Sequence, residues 1–416
     1  MRDAPIRRYQ SFVQALAENP CTNELSAIIV HVGTYNEPRT YLATEGLNPV
    51  LTPPSTYPTD SLLAFEIAQQ PALWPTTLER VAPTELPCEI TQSTVILTGA
   101  GTSAYAASAI AEAWPQAIAI PTTDLLIQSV AEIETAIPSL RLGGLLISLA
   151  RSGDSPESSA VVAKIQKFFP LVKHLAIVCN SGGRLALTAG VQVILLDPRT
   201  NDRSLAMTGS FSNLTLAGLA LKHHERLLNQ LPSICRRVER ALPESNALIQ
   251  EIARACKDRI VILTSAMQAL AREVALKIIE LTDGRMLAMP ETFLGFRHGA
   301  VGFLREDTPI LCFLSSDAHK RRYEEDLIED LREKGLGRFV IVGDNPSLAE
   351  QRDWYVPAIA PFLPDALRTP FEVPLAQLLA YHLSVNAQVN PDDPSPKGTI
   401  TRVVRPFRIH EELATA

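Results

Sequence analysis

No run in this sequence approaches the roughly 20 consecutive apolar residues of a membrane-crossing helix. The start, Met1-Arg2-Asp3-Ala4-Pro5-Ile6-Arg7-Arg8, is basic but leads into no apolar core segment, so a secretory signal is not expected and a cytoplasmic protein is. Cysteine is sparse. The six residues Cys21, Cys88, Cys179, Cys235, Cys256 and Cys312 show no Cys-x-x-Cys spacing, which speaks against structural zinc and against a disulfide framework. Basic residues are dispersed and the formal charge is −7, so a nucleic-acid groove is not expected. A Walker loop is missing, and Gly99 and Gly101 lack the third glycine of a dinucleotide fingerprint, which disfavours ATP and NAD. His223-His224 and the acidic run Glu324-Glu325-Asp326 lack partner ligands at metal-binding spacing and read as solvated helical faces.

What is present suits a globular protein. The 416 residues are 46% hydrophobic and 20% charged, enough for two well-filled cores. Residues 1–60 are polar and proline-rich and read as an irregular segment with no assignable role. From Ser61 to Val81 the pattern is helical, and Pro83 and Pro87 then break it. Strand-like runs recur at 94–98, 144–149, 174–179 and 191–196, alternating with helical spacing such as Ser158 to Phe169. A helical linker around 213–257 follows. A second cycle has strands at 259–264, 309–314 and 338–342 and helices near 267–282, 318–334 and 371–388. This is an α/β protein with two tandem three-layer α/β/α sandwiches and mainly parallel sheets, divided at 61–240 and 241–390, with a tail at 391–416.

Two apolar runs end in glycine and hydroxyls and open straight into helices: Thr98-Gly99-Ala100-Gly101-Thr102-Ser103 and Ala150-Arg151-Ser152-Gly153-Asp154-Ser155-Pro156. A helix start offers unpaired N–H groups and a positive dipole end, so such turns at the carboxyl ends of strands favour a bound anion such as a phosphate monoester. The alternative is that Ser103 and Ser155 only cap their helices. A third stretch, Asn201 to Ser212, is dense in small polar groups that suit a sugar or an ordinary loop. Glu280, near a helix end, and His298, on the loop Arg297-His298-Gly299, are residue types that aldose/ketose proton transfer and ring opening require.

In this order, the turns at 99–103 and 150–155, the 201–212 stretch, the Ala275-Leu276-Lys277…Glu280…Arg297-His298-Gly299 block and Gln377-Leu378-Leu379-Ala380-Tyr381-His382 resemble double sugar-isomerase (SIS) domain proteins. They look like the isomerase half of glucosamine-6-phosphate synthase. The nearer resemblance is to the bacterial galactosamine-6-phosphate deaminase/isomerase group, often labelled tagatose-6-phosphate ketose/aldose isomerase, over roughly residues 65 to 405.

The resemblance implies a sugar-phosphate substrate, no cofactor and no metal. It implies that Thr102, Ser103, Arg151, Ser152 and Ser155 hold the phosphate and that Asp202, Thr208 and Ser210 face the sugar. Glu280 would be the C1/C2 base. His298, which in the family comes from the neighbouring subunit, would assist ring opening, so a homodimer with shared sites is implied, with the carboxyl-terminal tail closing over the site. The synthase has a serine at the place of Ala150, and Lys397 lies close to the place of its sugar-contacting lysine but offset in register. The glutaminase half has no counterpart, which implies that ammonia is released. The alternatives are a neutral aldose-ketose isomerase, a glucosamine-6-phosphate deaminase and, further off, a non-catalytic sugar-phosphate sensor.

Overall fold

The computed structural model describes residues 57–87 and 94–410, so the expectation for residues 1–56 lies outside the described residues. The chain opens with helices α1 (Leu62–Ala68) and α2 (Gln70–Val81). The first sheet contains β1 (Val95–Thr98), β2 (Ala117–Ala119), β3 (Gly144–Ala150), β4 (Val172–Val178) and β5 (Val191–Leu195). Helix α3 (Thr102–Glu112) follows β1, and α4 (Pro156–Phe168) follows β3. Helix α5 (Gly209–Ala255) then runs to the second sheet, with a non-helical step at His223. That sheet contains β6 (Arg259–Thr264), β7 (Leu287–Glu291), β8 (Pro309–Phe313), β9 (Arg338–Gly343) and β10 (Trp354–Pro357). Helix α6 (Gln268–Leu281) follows β6, α7 (Ala318–Glu333) follows β8, and α8 (Thr369–Asn386) ends the second cycle.

Both sheets are wholly parallel and five-stranded, and they share one topology. The orders β2-β1-β3-β4-β5 and β7-β6-β8-β9-β10 are the same walk, with the switch point between β1 and β3 in one and between β6 and β8 in the other. Side chains alternate across each strand. Val95 and Leu97 of β1 and Ile260 and Ile262 of β6 point into one continuous core shared with α2, α5 and α8. Ile96 points to a second core under α4, and Val261 and Leu263 point to a third under α7. The edge strands β2, β7 and β10 are additions to the sequence reading. They are three to five residues long and partly exposed, and β7 carries Pro290, which an edge tolerates.

Three polar groups sit deeper than their patterns suggest. Glu324 is buried rather than solvated, because its carboxylate accepts the Ser315 N–H in the turn after β8. His223 and His224 are partly buried, their rings bonded to the carbonyls of Ala113 and Leu78. Chain segments far apart in sequence interlock as well. Asp392 caps the start of α1, accepting from Ser61 Oγ at 2.6 Å and from the Leu62 and Leu63 N–H groups at 3.0 and 2.8 Å. No helix among the described residues is long and apolar enough to cross a membrane.

Candidate active site

The turn after β1 is tight for a steric reason. A Cβ on Gly99 would lie 2.6 Å from the Ser103 carbonyl group, and Gly101 takes φ +56, so both positions call for glycine. Gly101 is the N-cap of α3 and has no side chain to offer; Thr102 and Ser103 follow, both buried. In the turn after β3, Ser155 takes the N-cap position and Pro156 the first helical position, as the spacing predicts. The capping bond itself is missing. Neither the Ser155 nor the Ser103 hydroxyl has a hydrogen-bond partner among the described residues, while Ser152 Oγ accepts the Asp154 N–H at 3.2 Å.

The second sheet handles the same two places differently. Asp317 caps α7 through the His319 and Lys320 N–H groups at 2.8 and 3.2 Å. The first turn of α6 donates its Ala269 N–H to Glu112 at 2.9 Å. Both helix starts at the second switch point are therefore occupied by the chain's own carboxylates. Those at the first hold no carboxylate cap, and the Ser103 and Ser155 hydroxyls there have no partner among the described residues, so donors are left to offer to an external anion.

Arg151 is buried beside this cradle. Its Nη1 donates to the Ser204 and Leu205 carbonyls at 3.4 and 3.0 Å and its Nη2 to the Arg402 carbonyl at 2.7 Å. Burial pulls its pKa down, and Asp202, Arg402 and Glu280 are among the charges that act on it. Arg402 in turn donates to the Asp202 carbonyl, so the carboxyl-terminal segment lies against the 201–206 loop.

Asp202, Thr208 and Ser210 depart from the expectation that they face the sugar. Asp202 is buried at the start of α5, where its carboxylate accepts from the Thr208, Gly209 and Ser210 N–H groups at 2.8, 3.1 and 2.8 Å and from Ser210 Oγ at 2.5 Å. Thr208 Oγ1 also points to it, at 3.4 Å. The physical reason is that α5 starts inside the protein, and its orphan donors need a buried acceptor. Glu66 of α1 supports the same loop, accepting from the Arg203 N–H and from the Ser204 hydroxyl. Burial, with the nearby charge of Asp202, lifts Glu66 to about 7.

Glu280 belongs to a row of three. Glu273, Lys277 and Glu280 share one face of α6 at i, i+4 and i+7. Lys277 is 1% exposed, bonded to the Glu280 carboxylate and 3.5 Å from Glu273. Burial disfavours its charge, yet the two carboxylates outweigh that and raise its pKa. Burial lifts Glu273 to about 8, so near neutrality it is largely the uncharged acid and the ammonium is committed to Glu280. The Glu280 side chain is 18% exposed, the partial desolvation that suits a general base. Thr102 Oγ1 reaches Glu273 at 3.4 Å, joining the first cradle turn to this helix.

His298 and Lys397 lie apart from that row. His298 is exposed on the 297–299 turn, and its ring makes no hydrogen bond among the described residues. Lys397 is exposed and lines a cavity of about 260 Å³ with Asp283, Arg285 and Asn390. Sequence reasoning passed over Lys277 and Glu273. The available signal was three charges at helical spacing within a stretch whose other residues on that face are apolar. Glu66, Glu112 and Arg402 carried no local signal, because their partners are distant in sequence.

Two five-stranded parallel sheets with one shared order, each flanked by helices, define a tandem α/β sandwich of the sugar-isomerase (SIS) fold. No protein-family model matches the chain. D-galactosamine-6-phosphate deaminase AgaS of Shewanella sp. strain ANA-3 is 32% identical over 372 residues, covering 83% of this chain and 91% of its own. The Escherichia coli protein of the same name is 34% identical over 335 residues, covering 76% and 85%. The chain belongs to the AgaS family. Among solved structures, tagatose-6-phosphate ketose/aldose isomerase from Escherichia coli matches with TM-score 0.71 and 28% identity over 86% of this chain and 98% of that one. The C-terminal domain of glucosamine-fructose-6-phosphate aminotransferase from Francisella tularensis matches with TM-score 0.66 over 79% and 97%, and at 16% identity it speaks for the fold alone.

Proposed function

We propose that the chain is a deaminating isomerase that converts a hexosamine 6-phosphate, galactosamine 6-phosphate by preference, into the ketose 6-phosphate and ammonia. The observation that carries this reading is the contrast between the two switch points: uncapped, hydroxyl-lined helix starts in the first sheet, and carboxylate-filled ones in the second. Membership of the AgaS family supports the substrate class.

In this reading Thr102, Ser103, Ser152 and Ser155 grip the phosphate with the backbone donors of their turns. Arg151 stands behind them and pins the 204–205 carbonyls and the carboxyl-terminal segment over the site. Asp202, Thr208 and Ser210, rather than facing the sugar, act by fixing the start of α5. Glu280 takes the C2 proton of the open-chain amino sugar, the electron pair moves toward the C1 carbonyl, and an enol-amine forms. Returning the proton to C1 leaves an imine at C2, and water then replaces nitrogen, releasing ammonium and tagatose 6-phosphate. Lys277 holds the Glu280 carboxylate in place. The exposed His298 assists ring opening in the site of a second copy, so the working unit is a homodimer. Two sugar-isomerase units, 61–240 and 241–390, a closing tail at 391–416 and a cytoplasmic location complete the proposal, in which Lys397 plays a secondary part at most.

The test is ammonium release from galactosamine 6-phosphate and glucosamine 6-phosphate, with tagatose 6-phosphate as the control for simple isomerisation. Glu280→Gln is expected to abolish turnover while inorganic phosphate still binds. Ammonium release at the normal rate by that variant would reject Glu280 as the base. Isomerisation of a neutral aldose phosphate with no ammonium from either amino sugar would reject deamination.

A further inference from the structure

Helix α3 touches the proposed site at one end only. Its first residues, Thr102 and Ser103, belong to the phosphate cradle, and its last, Glu112, lies at the other switch point. There the Glu112 carboxylate accepts the Ala269 N–H at 2.9 Å, beside the Gln268 N–H, at the start of α6. That helix has no cap of its own, since Met267 at its N-cap position makes no side-chain bond. Helix α6 also carries Glu273, Lys277 and Glu280. Its second link to α3 is the 3.4 Å contact between Thr102 and Glu273. The two helices are thus fastened at both ends of α3.

We propose that Glu112 is a positioning residue: by clamping the far end of the phosphate-cradle helix onto the first turn of the base-bearing helix, it sets the reach from bound phosphate to Glu280. The inference rests on the function proposed above. Its logic is geometric. The cradle is built by the first sheet and the base by the second half of the chain, so their spacing depends on whatever joins α3 to α6. A carbon-bound proton is transferred only from a near-attack geometry, and an error of about 1 Å costs on the order of 100-fold in rate. Glu112 is also an expensive way merely to fill space. Its Oε2 is buried without a hydrogen-bond partner among the described residues, a penalty that an apolar side chain would not incur.

Three variants test this through ammonium release from galactosamine 6-phosphate, inorganic phosphate affinity and thermal melting. Glu112→Ala removes the clamp, and kcat is expected to fall about 10–100-fold while phosphate affinity stays within about twofold. Glu112→Gln keeps an acceptor oxygen at the same reach and is expected to hold kcat within about threefold of the parent. Glu112→Asp keeps the carboxyl group but withdraws the oxygen by about one bond length, and its kcat is expected to fall between the other two. Should Glu112→Ala fail to fold, the Gln and Asp pair carries the test. A folded Glu112→Ala or Glu112→Asp protein with parental kcat overturns the proposal, as does a Gln variant no better than the Ala one. If the parent itself releases no ammonium, the proposed function fails first and takes this inference with it; an active parent with insensitive variants sinks the inference alone.

Discussion

Replacing Glu273 by glutamine preserves shape and an acceptor for Thr102 while removing a titrating group from the interior. In the folded chain burial holds this acid at about 8, against an ordinary value of 4.5. The folded state therefore binds the proton more tightly than the unfolded state, and Glu273 makes the protein less stable as pH rises from about 4.5 to about 8, with little further change outside that window. At 1.36 kcal/mol per pH unit the accumulated loss is about 3 kcal/mol at pH 7 and approaches 5 kcal/mol above pH 8. Glu273→Gln has no such loss. Urea unfolding of parent and variant at pH 5, 7 and 8.5 should show the variant's advantage growing by about 4 kcal/mol between pH 5 and 8.5. A difference that stays flat with pH, or one that shifts in favour of the parent as pH rises, would mean that Glu273 is ionised throughout, balanced by Lys277, and the assignment of the lysine's charge to Glu280 would fall with it.

Two further predictions follow from the cradle. Ser155→Ala ordinarily removes an N-cap worth about 1 kcal/mol, but here no capping bond exists to lose. The melting temperature should stay within a degree or so while KM for the sugar phosphate rises about 10–100-fold, the worth of one hydrogen bond to a charged group; a clear loss of stability with unchanged KM would restore the capping role. Gly99→Ala puts a Cβ 2.6 Å from the Ser103 carbonyl group, so the turn must open. Phosphate affinity should drop at least about tenfold with kcat/KM falling alongside, and a variant that still binds phosphate normally by calorimetry would show that this turn takes no part in the grip.

Much of the fold was legible because it rests on local periodicity. The buried runs Val95–Thr98, Gly144–Ala150 and Arg259–Thr264 are apolar on both faces, which only a parallel sheet covered by helices on both sides explains. The edge strands escaped because Ala117–Ala119 and Leu287–Glu291 are short and partly exposed, so neither an apolar run nor strict alternation marks them. At the site, the glycine and hydroxyl turns were readable, since their composition is itself the geometry. Asp202 was not. Its acidic side chain in a polar stretch looks like a ligand contact, and only the burial of the α5 start shows that backbone donors take it first. Glu112 and Glu66 act across 157 and 137 residues respectively, distances at which one sequence carries no periodic trace.

The cap that Asp392 places on α1 spans 330 residues to Leu62. During synthesis at about 5–20 residues per second, the helix bearing Glu66 leaves the ribosome some 15–65 s before the carboxylate that completes its first turn exists. Until then the loop that Glu66 holds, and Arg151 behind it, lack their full support. Support for the proposed site is thus completed only after the carboxyl-terminal segment has been made, which puts its ordering late in biogenesis.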